Sequence, residues 1–113
     1  MKSKKAVFAF YHEEVEELKE RFEMIVRAGE ENVEYHTIVH LDDVLEIMEN
    51  KKNHYSDVYL SSVKVFDDLE DFWWFSEVVL GNGANYFIDE EAIDSRESYH
   101  VWEILAKLGN CFN

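Results

Sequence analysis

The sequence predicts an α/β domain in three layers: a central, mostly parallel sheet of about four strands with helices on both faces. Three observations carry that expectation. Strand-like and helix-like hydrophobic periods alternate four times along the chain, the rhythm of a layered α/β fold. The run VFAF at 7–10 is apolar without interruption, as in a strand covered on both faces. Finally, SDVYLSSVKVFDDLEDFWWFSEVVL at 56–80 passes from strand formers through a short polar joint into a strongly apolar helix. A buried strand feeding a helix that packs back on its own sheet reads this way.

The elements follow in order. Residues 4–10 are the first strand, and over 12–28 the period changes: Val15, Leu18, Phe22, Ile25 and Val26 recur at three-and-four spacing. Glu13, Glu14, Glu16 and Glu17 suit the positive end of that helix, and Gly29 suits its cap. Residues 33–39 alternate loosely as a second strand, and 41–52 form a helix with Leu41, Val44, Leu45 and Met48 on one face. The third strand is 57–62. Asp67 and Glu70 have capping-box spacing for the next helix, whose broad inward face is Leu69, Phe72, Trp73, Ser76, Val79 and Leu80. Trp74 and Val78 fall on its other side. Gly81-Asn82-Gly83 signals a turn, 84–88 a fourth strand, 89–94 an acidic joint, and 96–108 a last helix with Val101, Ile104, Leu105 and Leu108 inward.

With 113 residues there is room for one domain, 1–113, burying roughly two thirds of the surface its unfolded chain exposes. The net charge of −14 comes from 25 acidic against 11 basic residues. Duplex DNA carries about one negative charge per 1.7 Å and is bound through Lys and Arg, so direct nucleic-acid binding is not expected. The charge serves solubility or presents an acidic surface to a basic partner. Cys111, the sole cysteine, allows no disulfide within the chain and suits a reducing compartment. The basic start, MKSKKAVFAFYHEE, has too short an apolar run for a signal peptide or membrane span, so a cytoplasmic protein without membrane contact is expected.

The stretch SDVYLSSVKVFDDLEDFWWFSEVVLGNGANYFIDEEAIDSRESYHVWEIL resembles the second half of the catalytic domain of serine recombinases, the resolvase and invertase group. That family has a strand of the type DVVLVSS, then LDRLGRDLEDF, a helix, a Gly-containing turn, a strand, an acidic GID-like loop and a helix ending in EIL. FAFYH falls where the family has Y-A-R-V-S, and the distance from there to Gly29 matches the family's first helix without a gap. The resemblance implies a resolvase-like catalytic-domain fold. For activity it implies the reverse, because the family attacks a DNA phosphate with a serine and steadies the charge with arginines. The serine position holds His12 and the arginine two residues before it is Phe10. The two arginines of D-R-L-G-R fall on Val65 and Asp67, with one residue lost between them. The loop carrying a further arginine is shortened, and His40 lies near its place.

Other chemistry competes with plainer readings. Glu13, Asp67, Asp68 and Asp89 stand at predicted strand ends and would converge on Mg²⁺ in a phosphoryl-transfer site, although no D-x-D fixes their spacing. Helix N-terminal charge is the simpler role for Asp67, Asp68, Glu70 and Asp71. His36 and His40 have zinc-helix spacing, but the first falls in a strand. Ser61 and Ser62 would need a base, and a pair with His12 stays open. In the aromatic cluster, Trp74 with Val78 is either covered within the domain or a contact for another chain, and Trp102 raises the same question.

The expectation is therefore a non-enzymatic, catalytically inactive resolvase-like protein-interaction module, without a cofactor, in a mobile-element or phage setting that the resemblance suggests. Its partner would be a protein: a second copy, or a basic nucleic-acid-handling protein. One alternative is an acidic inhibitor that imitates DNA. Another is a metal-dependent phosphoryl-transfer enzyme using the strand-end carboxylates.

Overall fold

A computed structural model describes residues 4–11, 13–26, 32–50 and 54–96. In chain order they form β1 (Lys4–Phe10), α1 (Val15–Val26), β2 (Asn32–Ile38), α2 (Asp42–Glu49), β3 (Tyr55–Leu60), a 3-10 turn (Val63–Val65), α3 (Leu69–Gly81), β4 (Asn85–Ile88) and β5 (Ile93–Asp94). His12 and the helix expected over 96–108, with Trp102, lie outside the described residues, apart from Arg96 itself.

The five strands make one sheet in the order β2-β1-β3-β4-β5. The first four run parallel, and β5 pairs antiparallel with β4. The fold class is thus α/β with a mostly parallel sheet, and the expected four strands become five. The acidic joint after β4 turns back on itself through Ala92, at φ 53, and Ile93 returns to pair with Ile88. Two residues are too few to show a strand period, so nothing in the sequence marked β5.

Alternation along β1 divides the core between the sheet's two faces. Val7 and Ala9 meet Leu18 and Phe22 of α1 together with Tyr59. Ala6, Phe8 and Phe10 meet Val44 and Met48 of α2 and Phe72, Phe75 and Val79 of α3. Phe66, Phe72, Phe75 and Tyr86 stack edge-on or tilted at centroid separations of 5.3 to 5.8 Å, which adds about 0.5–1.5 kcal/mol per pair to their area burial.

α3 starts one residue later than the capping pattern suggests. Asp68, in extended conformation, is the N-cap, and its carboxylate accepts from the Asp71 N–H at 2.9 Å. Asp67 is exposed and has no such role. The helix ends where Gly83 takes φ 81, a conformation that costs glycine little. Its buried face is Phe72, Phe75 and Val79, whereas Trp73 and Leu80, expected inward, are 40% and 45% exposed. Apolar residues nearly encircle this helix, so its period does not select a face, and packing against Phe8 and Phe66 does. For α2, Asp43 reaches back to accept from the N–H groups of His40 and Val39, both at 3.0 Å, and those bonds hold its carboxyl below the usual range.

Candidate functional site

Parallel strands gather their C-terminal ends along one edge of the sheet, where the loops of an α/β fold build sites. Here the loops after β1, β3 and β4 meet. The turn after β4 is sewn to the end of β3 by the Asp89 N–H donating to the Leu60 carbonyl at 3.0 Å and the Glu90 N–H to the Ser61 carbonyl at 2.9 Å. Ser61 and Ser62 are thereby buried beneath acidic side chains, only 3% and 6% exposed.

Two carboxylates fill this edge. Glu13 accepts from the Phe10 N–H at 3.0 Å and from the Ser61 hydroxyl. Glu91 accepts from the Ser62 hydroxyl and from the Val63 N–H, each at 2.9 Å. The Ser62 oxygen in turn accepts from the Lys64 N–H at 3.1 Å. Backbone N–H groups beside a hydroxyl are the donors with which a loop cradles an anion. In this chain those donors already hold the chain's own carboxylates.

The cations near the edge are likewise engaged. Arg21 of α1 forms an ion pair with Asp89, and the Lys64 ammonium lies 3.5 Å from Glu90. A cleft of about 380 Å³ beside α1 is lined by Glu13, Glu14, Glu17, Leu18 and Arg21. Elsewhere Lys4 pairs with Glu34, Lys19 with Glu16, and Arg96 with Asp94.

Of the residues aligned with the recombinase active site, Phe10, Val65 and Asp67 are among those described. Phe10 is 6% exposed and packs edge-on against Phe66 at 5.8 Å. Val65 is half-buried against the same core, and Asp67 faces solvent. Of the carboxylates considered for Mg²⁺, Glu13 and Asp89 are held by separate partners and Asp68 caps α3. Among the described residues no three His, Cys, Asp or Glu side chains form a group able to hold a metal ion.

His36 and His40 do not share a helical face. His36 stands on β2, edge-on to Phe8, and its Nε2 lies 2.7 Å from the Tyr55 hydroxyl. That hydroxyl donates its one proton to Glu34 at 2.6 Å, so the imidazole Nε2 carries a proton and donates to the phenol oxygen. Lys4, 2.7 Å from Glu34, completes the chain. The hydrogen bonds from Lys4 and Tyr55 lower the Glu34 pKa. Burial lowers that of His36 and, with the Glu34 carboxylate, raises that of the Tyr55 phenol.

On the opposite face of the sheet from α1, Trp74 and Val78 are half-buried against the core and turn toward α2. With Leu45 they line a groove of about 340 Å³ between α2 and α3, edged by Glu49 and Glu77 and ending at Gly81 and Asn82. The pair thus belongs to the α2 flank of α3, and Trp73 and Leu80 form its outward side.

Sequence reasoning missed Glu91 as the partner of Ser62 and Val63, and Tyr55 as the link between Glu34 and His36. Each joins positions far apart in the chain, and single-residue patterns carry no signal for such pairs. Among the described residues no helix is long and apolar enough to cross a membrane. No protein-family model, no curated protein and no solved structure matches this chain.

Proposed function

We propose that this domain is a non-enzymatic protein-interaction module, built on a scaffold like the serine recombinase catalytic domain and catalytically inactive as a recombinase. One observation carries the reading. The donors at the C-terminal edge of the sheet are taken up by Glu13 and Glu91, leaving carboxylates where a phosphodiester would need donors and cations. The alternation of parallel strands and helices agrees with the resemblance, as does the loss of its arginines at Phe10, Val65 and Asp67. A protein partner, rather than nucleic acid, suits the net charge of −14 and the exposed Trp73 and Leu80.

The test is incubation with supercoiled plasmid and labelled duplex DNA, with and without Mg²⁺ or Mn²⁺. The module neither nicks the plasmid nor shifts the duplex. Metal-dependent nicking lost in Asp67→Asn or Asp89→Asn would replace this reading with a phosphoryl-transfer enzyme.

A further inference from the structure

We propose that the groove between α2 and α3 is a docking site for a cationic amphipathic segment of a partner protein. An apolar side chain of that segment would rest on Leu45, Trp74 and Val78, and flanking Lys or Arg would reach Glu49 and Glu77. This rests on the interaction-module reading and adds to it the place and the chemistry of the contact.

The groove combines a tryptophan, an acidic rim and an open end. Its lining mixes apolar Leu45, Trp74 and Val78 with Glu49, Glu77 and Asn82, and Trp74 packs on the core from below while staying partly exposed above, the setting of a contact anchor. Its charged lining is wholly acidic among the described residues, since Glu49 and Glu77 are joined by no lysine or arginine. Around the helix from it, beyond Glu77, lie Trp73 and Leu80, two of the four large hydrophobic residues that are exposed among those described. Its end is open among the described residues: a Cβ added at Gly81 would meet no atom of theirs within 4 Å beyond its chain neighbours and its own helix backbone. An extended or helical segment can therefore run out past the end of α3.

Charge selects the occupant. A second copy docked through this groove about a two-fold axis would set the same glutamates against each other, in a chain of net charge −14. A basic segment meets the same rim with attraction. The cleft beside α1 is also acidic, but Asp89 ties its one arginine and its apolar lining is Leu18 alone.

The probe is a synthetic amidated peptide with Leu and Lys at helical spacing, titrated into the full chain by calorimetry and by backbone amide shifts, beside a counterpart carrying Glu in place of Lys. The Lys peptide should shift amides of Leu45, Trp74, Val78 and Gly81, and the Glu peptide should not bind. Glu49→Lys with Glu77→Lys should weaken binding by about tenfold or more, and Glu14→Lys with Glu17→Lys, the same charge change on the remote cleft, by less than about twofold. Gly81→Phe plugs the groove without touching the core, and should weaken the Lys peptide while leaving the melting temperature unchanged. Equal losses from the two charge-reversal pairs, shifts confined to another face, or no binding of the Lys peptide would each overturn the site. A dimer in sedimentation that Gly81→Phe dissociates would overturn its occupant. None of these outcomes touches the module reading, which the plasmid assay decides separately.

Discussion

Glu91 accepts from the Ser62 hydroxyl and the Val63 N–H, and both donors lie next to buried backbone. Glu91→Ala strands them, so urea denaturation should show a loss of about 1–3 kcal/mol, the usual cost of unpaired buried donors. Three residues after the turn starts at Asp89, Ala92 holds φ 53, which disfavours a side chain. Ala92→Gly should relieve this and stabilise the fold by about 0.5–1 kcal/mol in the same measurement. His36 titrates in the opposite sense from a histidine held by a carboxylate in water. Burial lowers its folded pKa below the ordinary value of about 6.5, so its neutral form is the one the fold keeps. Its contribution is full above that value and is lost as pH falls through the folded pKa. Glu34, lowered chiefly by the Lys4 hydrogen bond, loses its contribution further down, below the ordinary carboxylate range. Denaturation at about pH 7.5 and about pH 5.5 should therefore show a smaller drop for His36→Gln than for the parent chain. An equal drop would place the sensitivity at other groups.

Among the elements, α3 shows most clearly what a sequence can and cannot carry. Its existence and its end were legible, because an apolar helix followed by Gly-Asn-Gly admits little else. Its orientation was not, because Leu69, Phe72, Trp73, Trp74, Phe75, Val78, Val79 and Leu80 leave no polar stripe to set the inward face. That choice belongs to the tertiary packing of Phe72 and Phe75 against Phe66 and Tyr86. Phe75→Ala should cost about 3–5 kcal/mol in urea denaturation, against less than about 1 kcal/mol for Trp73→Ala. Comparable losses would mean that Trp73 is inside. β1 was legible to the residue, since VFAF between Lys5 and Tyr11 is bounded on both sides. Of the candidate site, the apolar or acidic character of Phe10, Val65 and Asp67 could be read from the sequence, but the carboxylates that occupy the donors could not. Glu13 meets Ser61 across 48 positions and Glu91 meets Ser62 across 29.

At the scale of the molecule, a net charge of −14 on 113 residues makes the fold work against its own repulsion. Raising ionic strength from about 0.01 M to about 0.15 M shortens the screening length from about 30 Å to about 8 Å and should raise the melting temperature steadily. A flat response would mean that the described ion pairs, such as Lys4 with Glu34 and Arg96 with Asp94, already balance the surface. In the proposed reading the same field opposes the approach of a phosphate, and Glu13 and Glu91 occupy the donors it would need at the strand edge. The direct test follows the amide resonances of Phe10 and Val63 while inorganic phosphate, and then a short duplex, is added at low salt. Both resonances should stay in place throughout; a saturable shift of either would mean that the edge accepts phosphate and that the account of a closed, non-catalytic scaffold is wrong.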